Sequence, residues 1–205
     1  SFSDKNVMLR GVTTSAEAKY ALLKELARKG YAVMDCLELL PDVKGLEGKT
    51  CGIINVSVAN MRVAPDFSSE MMTQSLMGMP VRVLQRDGWV RIQTPDNYIA
   101  WVHRVGVHPV TEEEMAAWNK AEKIVVTAHY GFVYSEPNQT SQTVSDVVAG
   151  NRLKWEGSKG AFYKVTYPDG RRGYISKSIA MPEKKWRSGL QQDAAGIIRT
   201  AHTMM

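Results

Sequence analysis

The sequence predicts a mainly β protein in which two small barrels follow each other, with one helix before them, a short helix between them and one after them. The first observation is a change at residue 51, after which short β-branched runs alternate with turn residues. The second is that this β pattern occurs twice along the chain. The third is that apolar residues at helical spacing are confined to the start, middle and end of the sequence.

The composition is that of an ordinary globular chain. Of the 205 residues, 44% are hydrophobic and 23% are charged, with a formal net charge of +5, which excludes wholesale disorder. No stretch approaches the roughly 18 consecutive apolar residues of a membrane-spanning helix. Two cysteines are too few for a disulfide scaffold. The scattered basic residues indicate a solvated mixed surface, although attraction to a polyanion stays open.

The first expected element is a helix over residues 14–30. Thr14 and Glu17 fit a capping box, in which a hydroxyl and a carboxylate satisfy each other's free backbone amides. Leucines and alanines then recur at helical spacing, and Gly30 follows the last of them, as is typical of a helix end. The polar, glycine-containing segment 42–50 is interpreted as a linker.

The two predicted barrels match each other segment by segment. The run 89–96 (WVRIQTPD) corresponds to 162–169 (FYKVTYPD), and Gly78 corresponds to Gly150, with an offset of 72 to 73 residues. Short strands separated by tight turns at this spacing are typical of a small barrel or sandwich. Two copies of one β module therefore account for most of the chain.

Two further helices are expected outside the barrels. Thr111 and Glu114 form another capping box, and Trp118 lies on the apolar face of the short helix that follows. Apolar residues also recur every three or four positions from Trp186 to Met205. A helix with an apolar face needs a cover, so this last helix is interpreted as the beginning of a further domain.

These patterns predict five parts. In chain order they are a helical N-terminal segment with its linker (1–50), a first barrel (51–110), a linker helix (111–123), a second barrel (124–182) and the first helix of a truncated catalytic domain (183–205). The catalytic character of that last domain depends on the resemblance described next.

Four short segments of the first copy resemble the bacterial SH3-like domain. The segment 60–65 (NMRVAP) resembles its N-L-R-x-x-P opening, and 78–84 (GMPVRVL) resembles its G-x-x-V-x-V-L element. The segments 88–92 (GWVRI) and 98–102 (YIAWV) resemble its aromatic close. The second copy keeps the aromatic close but lacks the Asn-x-Arg opening. The resemblance therefore implies two SH3-like barrels in tandem.

Tandem SH3-like domains followed by a helix resemble the N-terminal half of NlpC-type cell-wall cysteine peptidases, in particular the dipeptidyl-peptidase VI-like enzymes. The resemblance spans residues 51–205. It implies a parent hydrolase that cleaves γ-D-glutamyl-L-diamino acid bonds of peptidoglycan stem peptides or their turnover products, in the bacterial envelope, either periplasmic or secreted. The family's nucleophile lies in a D-C-S-G stretch, and neither Cys36 nor Cys51 does. The resemblance therefore places the catalytic residues in a missing C-terminal domain.

The resemblance also implies two substrate-binding residues. In related peptidases the first SH3-like domain borders the catalytic cleft and helps select a free N-terminal amine on L-Ala. Tyr98 matches the family's tyrosine before the last aromatic motif, and Glu70 lies where the family places an acidic residue. A carboxylate binds an ammonium through charge-assisted hydrogen bonds. The alternative is that Tyr98 is a rim aromatic and Glu70 a solvated loop carboxylate.

Other chemistry finds little support in the sequence. The four histidines do not pair with cysteine or histidine at metal-ligand spacing, and there is no phosphate- or dinucleotide-binding motif, so neither metal nor cofactor is expected. Cys36 and Cys51 are interpreted as structural thiols, with a disulfide between them left open. Trp89, Trp101 and Trp155 are expected in the barrel cores or at their rims.

Two alternative functions remain. One is a stand-alone envelope module that binds peptidoglycan peptide or glycan. The other is a tandem nucleic-acid binder, which needs a continuous basic stripe. Because charges of both signs are mixed along the predicted strands, no nucleic-acid partner is expected, and no transmembrane segment is expected either.

Overall fold

The computed structural model describes residues 6–190 and 193–202. Within these ranges the chain forms a small β-α-β unit, two curled antiparallel sheets of seven strands each, a helix between the sheets and two helices after them. The mainly β fold class with tandem barrels is thereby confirmed. None of the described helices is both long enough and apolar enough to cross a membrane.

The N-terminal unit contains the predicted helix and, in addition, two strands. Strands β1 (Asn6–Thr13) and β2 (Ala32–Leu39) are paired in parallel, and helix α1 (Ala16–Arg28) joins them. A parallel pair requires such a crossover connection. The helix begins two residues later than the expected residue 14, because the side chain of Ser15, and not that of Thr14, accepts the Ala18 backbone amide of the first turn.

The first sheet contains seven strands in the described part of the chain. They are β3 (Cys51–Ile54), β4 (Val58–Arg62), β5 (Met71–Leu76), β6 (Pro80–Asp87), β7 (Trp89–Gln93), β8 (Ile99–His103) and β9 (Val107–Val110). One turn of 3-10 helix, Arg104–Gly106, joins the last two strands. Their order across the sheet is β5-β4-β8-β7-β6-β3-β9.

The second sheet repeats this arrangement. Its strands are β10 (Lys123–Val126), β11 (Tyr130–Tyr134), β12 (Thr143–Val148), β13 (Arg152–Lys159), β14 (Phe162–Thr166), β15 (Arg172–Ser176) and β16 (Ala180–Pro182). Their order is β12-β11-β15-β14-β13-β10-β16, so each strand occupies the place of its counterpart in the first sheet. The predicted duplication of one β module is therefore confirmed.

Both sheets bend at corresponding positions. The pairing register shifts between Val83 and Gln85 in β6 and between Trp155 and Gly157 in β13, which are 72 residues apart in sequence. A β-bulge increases the local twist and bends its strand. The two barrels therefore curl through the same irregularity, placed at the same point of the repeat.

Each barrel has its own core, made of the inward-facing residues of its strands. Fully buried members of the first core are Ile54, Met61, Val83, Val90 and Ile92, and those of the second are Ile124, Val133, Leu153, Val165 and Ile175. The three tryptophans of the barrel strands are half-buried, and Trp155 packs against the second core.

The two barrels pack directly against each other. Met77, at the end of β5, is fully buried in the core of the second barrel. Its carbonyl oxygen accepts a hydrogen bond from the Arg152 amide at 3.0 Å. The side-chain amide of buried Asn151 donates to the Ser57 carbonyl at 2.8 Å, and the Ser57 hydroxyl donates to the Asp146 carboxylate at 2.6 Å. The junction therefore combines apolar and polar contacts.

Helix α2 (Glu112–Lys120) lies between the barrels and confirms the second capping box. The Thr111 hydroxyl accepts the Glu114 amide, and the Glu114 carboxylate accepts the Thr111 amide. Trp118 is buried and its indole nitrogen donates to the Gly78 carbonyl at 3.2 Å. This helix is therefore anchored to the first barrel at the inter-barrel junction.

Among its described residues, the C-terminal segment contains two helices where one was expected. Helix α3 (Glu183–Ser188) ends at Gly189, and helix α4 (Ala194–His202) begins after Asp193, whose carboxylate accepts the Gly196 amide at 2.6 Å. Glycine disfavours a continuous helix because it loses the most backbone freedom, whereas aspartate favours a helix start. Met205, the last residue of the predicted apolar pattern, lies outside the described residues.

Candidate functional site

The two residues predicted to bind substrate lie at the same end of the first barrel. Tyr98 directly precedes β8, and Glu70 directly precedes β5. Arg62 of β4 is paired with Trp101 of β8 on one side and with Met71 of β5 on the other. Because these three strands are adjacent and antiparallel, Glu70 and Tyr98 lie two strands apart near one edge of the barrel.

Tyr98 is held by a tight turn after β7. The Thr94 amide donates to the Tyr98 carbonyl at 3.0 Å, and the Tyr98 amide donates to the Thr94 hydroxyl at 3.1 Å. Thr94 in turn donates to the Asp96 carboxylate at 2.5 Å. The phenol side chain is 48% exposed and makes no hydrogen bond to the described part of the chain. The backbone is therefore fixed while the hydroxyl stays available to a ligand.

Glu70 ends the β4–β5 loop, which is fixed by hydrogen bonds between its backbone and the side chains of Arg62 and Ser69. The Arg62 guanidinium donates to the Ser69 carbonyl at 2.5 Å, and the Ala64 amide donates to the Ser69 hydroxyl at 2.9 Å. The Val63 amide donates to the Glu70 carbonyl at 3.0 Å. The carboxylate itself is exposed and forms no ion pair with the residues that the structure describes. It is therefore also free to bind a ligand.

The structure thus brings both predicted residues to one edge, with no direct contact between them. This arrangement fits the predicted grip on an ammonium and also fits the solvated-loop alternative. The substrate role of Tyr98 and Glu70 stays a prediction.

An aromatic cluster beside this edge was not predicted from the sequence. Phe67, from the β4–β5 loop, lies 4.9 Å from the Trp89 ring and 5.0 Å from the His103 ring, measured between centroids. Phe67 is nevertheless 67% exposed. A groove of about 270 Å³ lies beside the cluster and includes Val105 in its wall. The three rings come from a loop and two strands, so no local spacing could have indicated that they meet.

Large apolar side chains are exposed over this part of the first barrel and largely absent from the same places in the second. Seven of them form what we call the apolar surface: Val63, Phe67, Met71, Met72, Tyr98, Ile99 and Val105. At the corresponding positions the second barrel carries Ser135, Gln139, Thr143, Val144, Arg171, Arg172 and Ser178. Among the described residues of the second barrel, Tyr130 is the one large hydrophobic side chain of comparable exposure.

The two barrels use the same loop geometry beneath these different side chains. In the first, the Asp66 carboxylate accepts the Ser68 amide at 2.7 Å, and in the second the Asn138 side chain accepts the Thr140 amide at 3.1 Å. The fold therefore does not require apolar residues at these positions. Large exposed apolar side chains at these positions on one copy alone favour an interaction surface there.

The thiols give no support to a nucleophilic role for this chain. Cys36 is exposed and Cys51 is half-buried, and the structure holds both as free thiols. Burial raises the pKa of the Cys51 thiol, and the nearby Glu112 carboxylate raises it further, which disfavours the reactive thiolate. Within the described ranges, no three histidine, cysteine, aspartate or glutamate side chains are grouped as metal ligands.

Comparison with protein-family models identifies both barrels. Residues 61–105 match the model described as the bacterial dipeptidyl-peptidase Sh3 domain. Residues 129–179 match the model of the bacterial SH3 domain. No curated protein sequence matches the chain.

Two solved structures share this fold. One is an NlpC/P60 family protein from Bacillus cereus ATCC 10987, with a TM-score of 0.53 and 20% identity over 64% of this chain. The other is an NlpC/P60 endopeptidase from Photobacterium damselae subsp. piscicida, with a TM-score of 0.50 and 13% identity over 82% of this chain. The chain covers 55% of the first protein and 39% of the second.

Proposed function

Because the chain carries two bacterial SH3 domains in tandem, we propose that it is the non-catalytic part of a cell-envelope cysteine endopeptidase. The reaction is hydrolysis of a γ-D-glutamyl-L-diamino acid bond in peptidoglycan peptides, carried out by a catalytic domain that is not in this chain. The fold shared with NlpC/P60 proteins supports this proposal. So does the absence of a D-C-S-G stretch from the sequence.

The observation that carries the proposal is the apolar surface of the first barrel. The second barrel keeps the same strand order with mostly polar side chains at the same positions, so the apolar residues have a purpose other than folding. Covering a large apolar side chain is favourable by about 1.5–3 kcal/mol. We propose that the catalytic domain packs on this surface, which places Glu70 and Tyr98 at the margin of its substrate cleft.

The first barrel is also the copy suited to bind an ammonium. An ionised Glu70 attracts the substrate amine, and the Tyr98 hydroxyl accepts a hydrogen bond from it. The corresponding residues of the second barrel are Gln142 and Arg171. A neutral amide and a guanidinium provide no such attraction, because the first carries no charge and the second repels a cation.

Steady-state kinetics on the full-length product of the gene test this role. We expect Glu70→Gln and Tyr98→Phe each to lower kcat/KM for a substrate with a free N-terminal L-Ala by about tenfold or more. Each change removes one charge-assisted hydrogen bond, and its free energy corresponds to about that factor. Glu136→Gln and Tyr130→Phe, which change exposed residues of the second barrel, serve as matched controls. Unchanged kcat/KM in both test variants would show that the proposed grip is wrong.

A second experiment tests the docking of the catalytic domain independently of substrate. Phe67→Gln introduces the residue that the second barrel carries at the corresponding position, Gln139. We expect this variant to make the full-length protein more sensitive to proteolysis between its SH3 domains and its catalytic domain. Tyr130→Gln is the control for loss of an exposed aromatic. Equal cleavage of both variants and the wild type would contradict the docking.

One observation favours the alternative of a stand-alone peptidoglycan-binding module. Tyr130, Phe132 and Tyr134 alternate along β11 and contact one another, with ring centroids 5.2 and 6.4 Å apart. Such a row offers aromatic faces and edges to a wall polymer. Sedimentation of the chain with purified peptidoglycan separates the two proposals, because the accessory role predicts weak binding. Strong binding that Tyr130→Ala abolishes would favour the alternative.

A further inference from the structure

A second groove lies where the two barrels meet helices α2 and α3. Its volume is about 330 Å³. We call it the junction groove; its walls are Gly78, Met79, Pro80 and Pro95 of the first barrel, Trp118 and Asn119 of α2, Lys123 and Arg152 of the second barrel, and Glu183 and Arg187 of α3. Four elements therefore contribute to one depression, which neither barrel forms alone.

Two guanidinium groups converge in this groove. Arg152 donates from Nε to Glu183 Oε1 at 2.8 Å, and Arg187 donates to the same oxygen from Nε at 3.1 Å and from Nη2 at 2.7 Å. Burial on its own raises the pKa of Glu183, but the hydrogen bonds from both arginines outweigh it and lower the pKa, so this carboxylate is ionised. The remaining Nη groups of Arg152 and Nη1 of Arg187 make no hydrogen bond within the described residues.

A third cation, Lys123, is built into the wall. Its side chain is among the buried polar groups, and its ammonium donates to the carbonyl oxygens of Trp118 and Ala121 at 2.5 and 2.9 Å. It also lies 5.3 Å from the centre of the Trp118 ring. These contacts hold the charge in place, at the end of α2 where the helix dipole favours a cation. The groove therefore has three cations against one carboxylate.

The barrel fold does not require these cations. The positions that correspond to Lys123, Arg152 and Arg187 at an offset of 72 residues are Cys51, Pro80 and Met115. The first barrel and α2 thus carry no charged side chain at any of the three positions. Glu183 offsets part of this positive charge, and a bound anion would offset the remainder, since like charges repel more strongly away from water.

We propose that the junction groove binds an oxyanion ligand, through the carboxylate of a peptide or a phosphate group. The planar guanidinium of arginine matches the paired oxygens of either group, and such hydrogen bonds are among the stronger ones in proteins. Met79, Pro80 and Pro95 provide apolar walls for the remainder of the ligand. This site is additional to the ammonium grip proposed above and does not depend on it.

Titration of the isotope-labelled chain, followed by amide NMR shifts at low salt, tests this site. The probes are N-acetyl-glutamyl-alanine, its neutral diamide and inorganic phosphate. We expect at least one of the two anions to shift amides around the groove, and Arg187→Gln to weaken its binding about tenfold. Lys185→Gln, on the exposed side of the same helix, is the matched control and changes the affinity less than about twofold.

The outcomes separate clearly. Binding of either anion that depends on Arg187 supports the site, and the stronger of the two identifies the source of the oxyanion. The proposal would be overturned by any of three results. These are equal binding of the neutral diamide, equal weakening of anion binding by Arg187→Gln and Lys185→Gln, or no amide shifts with either anion at about 10 mM. Arg152→Lys keeps the charge but loses the planar fork. It gives a second variant in which weaker binding is expected, should Arg187→Gln alter the fold.

Discussion

Tyr167 shows how one position of the repeat serves different purposes in the two barrels. Its side chain is 1% exposed, its hydroxyl lies 2.8 Å from the Ser145 hydroxyl, and the Arg171 guanidinium lies 4.5 Å from its ring. The corresponding residue of the first barrel is Thr94, which holds the turn that presents Tyr98. A buried phenol therefore completes the second core at the position where a small hydroxyl shapes the candidate site in the first.

The buried phenol of Tyr167 predicts a loss of stability at high pH. Burial raises the pKa of Tyr167 from 10.0 to about 12, so the folded state favours the neutral phenol. The stability that the buried neutral phenol contributes is complete below pH 10. It is lost as the pH rises towards 12, and the loss is at most about 3 kcal/mol at 1.36 kcal/mol per pKa unit. Urea denaturation of the wild type and Tyr167→Phe between pH 9 and 12 measures it. Parallel pH profiles for the two proteins would contradict the prediction.

At the scale of elements, α1 depends on a single capping side chain. The Ser15 hydroxyl accepts the Ala18 amide at 3.0 Å, whereas the Thr14 side chain makes no such bond. The capping-box pattern with Glu17 predicted Thr14 as the cap, and this prediction was wrong, because both hydroxyl residues precede the same apolar pattern. The backbone conformation of Ser15 is extended, as an N-cap requires, and this decides between them.

We therefore expect Ser15→Ala to destabilise α1 by about 1 kcal/mol, since one amide of the first turn loses its acceptor. Thr14→Ala is the matched control and leaves the helix unchanged. Amide hydrogen exchange within α1 measures both effects locally, without requiring the barrels to unfold. Faster exchange in Thr14→Ala than in Ser15→Ala would show that the cap is placed wrongly.

At the scale of the whole molecule, the inter-barrel junction makes the tandem one packed body. Gly78, in the middle of the first barrel's β5–β6 turn, has a φ of +85° and lies against the backbone of Arg152 in the second barrel. A Cβ at Gly78 would come within 2.4 Å of the Arg152 carbonyl oxygen. The second barrel therefore lies too close to tolerate any side chain there.

This closeness predicts different costs for two glycine substitutions. Gly170 has a nearly identical φ of +87°, and a Cβ added there would meet no atom within 4 Å. Gly170→Ala therefore costs only the backbone strain, about 1 kcal/mol. Gly78→Ala adds the clash with Arg152 and should destabilise the protein by roughly 3 kcal/mol or more. Urea denaturation compares the two variants. Equal destabilisation would mean that the barrels do not press on each other at Gly78.

Local signals in the sequence were sufficient to predict the two barrels, their order and two of the helices. These signals are alternating apolar residues, turn residues such as Gly78 and Gly150, and capping pairs such as Thr111 with Glu114. Each signal extends over only a few consecutive residues, so it can be recognised without knowing which other elements pack nearby. The pairing of β1 with β2 was not predicted, because it depends on how the intervening helix α1 returns the chain alongside β1.

The surfaces that these elements present to a partner depend instead on tertiary packing. Phe67 reaches Trp89 and His103 only because a loop folds over two strands. Lys123, Arg152 and Arg187 converge only because β10 pairs with β13 and α3 packs beside them. Contacts between residues far apart in sequence depend on how the elements pack, and no local pattern encodes them. The candidate residues Glu70 and Tyr98 were found through motifs, but their common place at one edge of the barrel follows from strand order.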